Sequence, residues 1–202
     1  EASADVARLA GLTPVYIGPN EKNLAIFDDA VVWLQPGGVS NTVAKKMNSI
    51  LKNALKEFIA EGGGYVGFCA GGFLATEIVG DTDTKGLGII AGISSLLEVK
   101  GNPQAAILET EWNGLKRGLY FEGGPYFAPI KNQRPPEVTA YYANGKWASI
   151  RSSYGKGRVY VTGTHPEAPQ DWRTYFKLND PDGMDHDLAV EMVHWVTGKD
   201  KN

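Results

Sequence analysis

Gly64-Tyr65-Val66-Gly67-Phe68-Cys69-Ala70-Gly71-Gly72 is the stretch on which the fold turns. Tyr65 to Phe68 is a short apolar run bounded by glycine, the pattern of a buried strand. Phe73-Leu74-Ala75-Thr76-Glu77-Ile78 follows and predicts the start of a helix. Between them, Gly67-Phe68-Cys69-Ala70-Gly71 spells G-x-C-x-G, a strand-to-helix turn with a nucleophilic residue at its apex. The glycines permit a turn too tight for side chains on either flank. Such a turn lifts the sulfur above the sheet and sets it at the amino end of a helix, where the dipole favours a thiolate. Cys69 is the only cysteine in 202 residues. A lone cysteine also serves as a small buried hydrophobe, so the turn by itself leaves two readings open.

A second segment favours chemistry. Gly157-Arg158-Val159-Tyr160-Val161-Thr162 alternates as a strand and runs into Gly163-Thr164-His165-Pro166-Glu167. A histidine at a strand end, with a carboxylate two residues on, can complete a triad. The imidazole takes the thiol proton, and the carboxylate holds the imidazole's tautomer and orientation. The other two histidines, His186 and His194, lack the i, i+4 spacing of a helical metal pair. His194, within Met192-Val193-His194-Trp195-Val196, is expected to be a packed helix residue.

Outward from these segments the chain alternates helices and strands. Ala2 to Ala10 predicts a helix and Thr13 to Ile17 a strand. Ala30 to Leu34 is a buried strand leading into Pro36-Gly37-Gly38, a turn able to aim backbone N–H groups inward or to act simply as a turn. Asn41 to Glu61 keeps a helical apolar period through Met47, Leu51, Leu55 and Phe58, and Gly62 to Gly64 end it. Alternation of this kind predicts an α/β domain with a parallel sheet covered on both faces. Sites in such folds lie at the carboxyl ends of the strands, where Cys69 and Gly37-Gly38 both fall.

The second half predicts short strands at 86–92, 95–99, 105–112, 137–143 and 147–152, with a hairpin at Asn144-Gly145, and these form an antiparallel extension. Asn132 to Pro136 is expected to be a surface loop rather than a boundary, so residues 1–202 form one domain. Phe121-Glu122-Gly123-Gly124-Pro125-Tyr126-Phe127 is either a pocket wall beside the thiol or a turn with core aromatics. Trp172 and Arg173 stand close enough to rim the same pocket or merely to pack. The acids from Asp180 to Asp187 do not match EF-hand spacing; they are expected to cap a last helix from Leu188 to Thr197, with no metal.

Composition narrows the function further. The net charge is −3, with no basic block and no basic stripe interleaved with aromatics, which argues against a nucleic-acid partner. No apolar stretch reaches the length of a membrane span. A single cysteine allows no intrachain disulfide, so a cytoplasmic and an exported location both stay open.

The cysteine turn followed at long range by His-Pro-Glu resembles the class I glutamine amidotransferase-like superfamily. A closer resemblance is to the domain at the amino end of some biotin-protein ligases, which also occurs alone in bacteria. Val31 to Gly38, Gly62 to Gly72, Gly123 to Phe127 and Gly155 to Glu167 carry it. The resemblance implies a flavodoxin-like three-layer sandwich with a mainly parallel central sheet. It implies Cys69 as nucleophile, His165 as base and Glu167 as orienter, with backbone N–H groups of Gly38 and Ala70 as oxyanion hole and Gly37 and Tyr126 at the substrate. Fixed donors there would stabilise a tetrahedral intermediate. The expected reaction is hydrolysis or transfer at a C–N acyl bond without an organic cofactor. The expected substrate is a small amide or a peptide, glutamine first, with any ammonia acceptor on a separate protein. A cysteine peptidase-like hydrolase and a non-catalytic binding or regulatory domain are the alternatives. Folds of this superfamily begin with a strand, whereas this chain begins with a predicted helix. Either a first strand stands upstream of Glu1, in a portion that could also hold a signal peptide, or the alignment with the family fails there and the helix truly comes first.

Overall fold

A computed structural model describes residues 1–98, 104–130 and 135–200. Its centre is a nine-stranded mixed sheet in the order β1-β2-β9-β8-β7-β4-β5, with β3 and β6 joined to it through β8. The strands are β1 (Val32–Gln35), β2 (Gly64–Phe68), β3 (Ile93–Leu97), β4 (Ala106–Trp112), β5 (Leu115–Phe121), β6 (Pro125–Pro129), β7 (Glu137–Tyr142), β8 (Trp147–Tyr154) and β9 (Gly157–Thr162). Among the described residues only β1, β2 and β9 pair in parallel. All the pairings of β3 to β8 are antiparallel, so the expectation of a mainly parallel sheet is corrected. The reason is local: β4 to β9 are joined largely by short turns, such as Asn113-Gly114 and Asn144-Gly145, and short turns make antiparallel neighbours.

The parallel part is covered on both faces. The helices are α1 (Ala2–Leu9), α2 (Ser40–Lys46), α3 (Ser49–Ala60), α4 (Ala70–Ala75), α5 (Gln170–Tyr175) and α6 (His186–Val196). Alternation along the strands sorts the core. Tyr65, Val159 and Val161 face Leu51, Leu55 and Ile59 of α3. Val66, Phe68 and Tyr160 face Val6 of α1 and Met192 and Val193 of α6. Every β2 residue is buried, as a central strand between two helical layers requires.

Several predicted elements differ from those observed. Residues 13–17 form no strand; Val15 and Tyr16 face solvent, and Pro14 brings no backbone donor to a ladder. The long helix over 41–61 is two helices. Asn48 turns extended (φ −67°, ψ 159°), and its side chain accepts a bond from the Leu51 N–H, capping α3 afresh. Residues 86–92 are no strand either: the Leu87 and Ile89 N–H groups donate to the carbonyls of Leu74 and Ala75 at the end of α4. β5, β6 and α5 form where no element was predicted. Most of the Asn132 to Pro136 loop and Val99 lie outside the described residues. No helix among the described residues is long and apolar enough to cross a membrane.

Candidate active site

Cys69 sits between β2 and α4 with φ +47° and ψ −100°, a conformation that side chains rarely adopt. Its neighbours explain how the turn closes. A Cβ on Gly67 would meet the Gly71 carbonyl carbon at 2.6 Å, and one on Gly71 would meet the Gln35 carbonyl oxygen at 2.6 Å. The buried Tyr65 hydroxyl donates to the Gly71 carbonyl at 2.9 Å and ties the turn to its own strand. The Cys69 N–H donates to the Thr162 carbonyl at 2.9 Å, extending the parallel ladder by one residue. Phe68 pairs with Thr162, so register alone brings Cys69 beside the segment that carries His165.

His165 is held from three directions. Its N–H donates to the Tyr120 carbonyl at 2.8 Å. Its Nδ1 lies 2.8 Å from Glu167 Oε1, a buried hydrogen bond that orients the ring. Gly37 lies against the imidazole edge, where a Cβ would come within 2.4 Å of Cε1. Burial pushes the His165 pKa down, but the charges of Glu167 and Cys69 and its hydrogen bonds to both outweigh this and hold it well above the ordinary histidine value. The thiol and the imidazole are thus electrostatic neighbours, and the Nδ1 of that imidazole is bound to Glu167. Glu167 is 1 % exposed, and its second oxygen has no partner among the described residues.

The flanking glycine turns come to the same place. Gly38 follows β1 in an open conformation (φ +145°). Ala70 opens α4, and the Cys69 side chain gives that helix no cap. Its first N–H groups therefore have no intrahelical partner, as at any helix start. On the far side, the Cys69 thiol donates a long bond (3.7 Å) to the Glu122 carbonyl. Gly124 packs backbone to backbone on Gly163, where a Cβ would lie 1.7 Å from the Gly163 carbonyl oxygen. Pro125 and Phe127 reach Gly72 of α4. Tyr126, expected at the substrate, instead lies beneath Lys146, whose ammonium is 4.1 Å from the ring centre. Strand alternation in β6 sends it away from its two neighbours.

Sequence reasoning missed Tyr120 and underread Trp172 and Arg173. The Tyr120 and Trp172 rings stand edge-on to His165, at 5.7 and 5.6 Å between ring centres. Arg173 is wholly buried rather than at a pocket rim. It donates to the Ala168 carbonyl at 2.7 Å, directly behind Glu167, and pairs with Asp180 at 2.5 Å and Asp185 at 3.0 Å. Asp185 also meets Arg117 at 2.8 Å. The Asp180 to Asp187 acids were expected to cap the last helix, but Asp185 gives α6 no side-chain cap because its carboxylate is taken by the two arginines. An arginine twelve residues before an aspartate leaves no local signal in sequence. A cavity of about 760 Å³ opens at the opposite end of the parallel strands, near Val31, Gly63 and Arg158, remote from Cys69.

Residues 27–90 match the family model described as biotin-protein ligase, N terminal. A biotin-protein ligase of Schizosaccharomyces pombe is 26% identical over 157 residues, 66% of this chain and 25% of that protein. The chain thus spans about a quarter of the length of that curated relative. Among solved structures, a glutamine amidotransferase is similar with a TM-score of 0.65 and 21% identity, over 87% of this chain and 90% of that one. PurLQS from Thermotoga maritima is similar with a TM-score of 0.65 and 15% identity, over 96% and 91% of the two chains. The fold is thus similar to that of a solved glutamine amidotransferase, and residues 27–90 carry the biotin-protein ligase N-terminal domain pattern.

Proposed function

We propose that the protein cleaves a C–N acyl bond with Cys69 as nucleophile, His165 as general base and acid, and Glu167 as the group that orients His165. The observation that carries this reading is the strained backbone of Cys69, which holds its thiol beside an imidazole already bound to a buried carboxylate. In this mechanism His165 takes the thiol proton and the thiolate attacks the amide carbonyl. Backbone N–H groups of Gly38 and Ala70 receive the oxyanion. His165 then gives its proton to the leaving nitrogen, the C–N bond breaks, and a thioester remains. Water, deprotonated by His165, releases the acid and restores the thiol. The raised His165 pKa favours a protonated imidazole in the resting site. No organic cofactor enters these steps.

Small amides and peptides are the substrates to test, with glutamine first because of the fold. The decisive experiment follows Cys69 alkylation by iodoacetamide across pH, using intact mass, in wild type and His165→Ala. Fast labelling near pH 6 that slows in the variant is expected. Labelling that rises only with an ordinary thiol pKa of about 8.5 in both proteins would overturn the reading.

A second reading has its own support. The curated relative is a biotin-protein ligase, and the match covers only a quarter of it. A domain of that type could bind or regulate without turnover. An unreactive Cys69, together with ligand binding that His165→Ala does not change, would favour it.

A further inference from the structure

We infer that the mouth of this site selects a substrate with a cationic group close to the scissile amide, and that Glu122 is the carboxylate that recognises it. The inference rests on Cys69 being the nucleophile. Three observations carry it beyond that assignment.

The first is position. The Glu122 carbonyl accepts the bond from the Cys69 thiol at 3.7 Å, so this residue borders the sulfur. Its side chain is exposed, and its Oε2 accepts a bond from the Tyr120 hydroxyl at 3.0 Å. Tyr120 lies near the end of β5 and Glu122 just past it, joined by that hydrogen bond, while Phe121 between them is buried in the core. The Tyr120 ring in turn stands against His165. The carboxylate is therefore held by a side chain that itself packs on the base.

The second is the chemistry of the wall. The Trp172 ring lies 5.4 Å from Tyr120 and 5.6 Å from His165, and the Phe176 ring lies 6.5 Å from Tyr120. An open carboxylate bonded to one ring of such an aromatic cluster offers a cation attraction by charge and by ring quadrupole together. The third is the disposition of Arg173 on the same helix as Trp172. It is buried and committed to Asp180 and Asp185, so it is not offered to a substrate anion. An anionic group entering beside Cys69 would meet Glu122 instead.

The test needs no knowledge of the natural substrate. Three methanethiosulfonates probe the site: one bearing a trimethylammonium group, one a sulfonate and one only methyl. In each case the Cys69 thiolate attacks the thiol-side sulfur, an S–S bond forms and methanesulfinate leaves. The ratio of cationic to anionic rate, divided by the same ratio for free 2-mercaptoethanol, reports the local preference. A value of about tenfold or more is expected, shrinking as salt rises. Glu122→Gln should bring it close to one, whereas Glu109→Gln, at a surface pair with Lys116, should leave it in place. Tyr120→Phe, which frees the carboxylate, should lower it partway. A wild-type value near one, or a preference that survives Glu122→Gln, would overturn the inference. A methyl reagent that reacts at an ordinary thiol rate, unaltered by His165→Ala, would overturn the nucleophile assignment instead. The two failures are therefore read from different numbers.

Discussion

Gly37 and His165 are in contact so close that no side chain fits between them: a Cβ on Gly37 would sit 2.4 Å from the imidazole Cε1. The glycine after β1 is thus a spacer for the ring as well as part of a turn. Gly37→Ala is expected to push His165 off Cys69. Iodoacetamide labelling near pH 6 should slow about tenfold or more, while the unfolding free energy measured in urea should fall by an overpacking cost of about 1–3 kcal/mol. Unchanged labelling in a folded variant would show that the ring tolerates the displacement.

Glu167 is the largest of the influences that raise the His165 pKa. Glu167→Gln keeps the shape and removes the charge. The imidazole should then titrate lower, and the pH profile of Cys69 labelling should move with it. A profile identical to wild type would mean that Glu167 does not govern the pair.

The same shift has a stability consequence whose sign can be worked out. Folded His165 binds its proton more tightly than the unfolded residue, whose pKa is about 6.5. Its contribution is therefore fully present below that value and is lost as pH rises through the folded pKa. The stability difference between wild type and His165→Gln, measured by urea unfolding, should shrink from pH 6 toward alkaline pH. A difference that grows over that range would contradict the assignment.

Arg173 is fully buried between Asp180 and Asp185 and also holds the Ala168 carbonyl. Arg173→Ala leaves the buried Asp180 carboxylate without a cation and Asp185 with Arg117 alone, and should cost about 3–5 kcal/mol. Arg173→Lys should recover part of that stability, but it cannot reproduce the fork of contacts. Labelling of Cys69 in Arg173→Lys should be slower than in wild type if the bond to Ala168 positions Glu167.

Cys69 itself carries backbone strain at φ +47° and ψ −100°. Glycine adopts this region freely and alanine does not. Cys69→Gly should therefore be more stable than Cys69→Ala by about 1 kcal/mol, measured as the difference in urea midpoints. Equal stabilities would mean that the turn is not strained.

Much of this architecture was legible before any coordinates. The elbow could be read because its causes are local: an apolar run, then glycines on both sides of Cys69, then a helical stretch. The α3 helix was visible through its apolar period, although the break at Asn48 was not, since that side chain acts as a new cap inside a continuous pattern. The strand predicted at 13–17 failed because a short apolar run makes a strand only where a neighbour accepts its backbone bonds. The sheet was predicted to be mainly parallel because the first half of the chain alternates helix and strand; the hairpin-rich second half decided otherwise.

The candidate site divides along the same line. The sequence by itself determined which residues could serve, because Cys69, His165 and Glu167 each sit beside their own local signal. Only the tertiary structure decided what surrounds them. Gly37 against the imidazole and Glu122 beside the sulfur depend on contacts between segments far apart in the chain. The register of β2 on β9 sets those contacts, and no periodicity along one segment encodes the pairing of another.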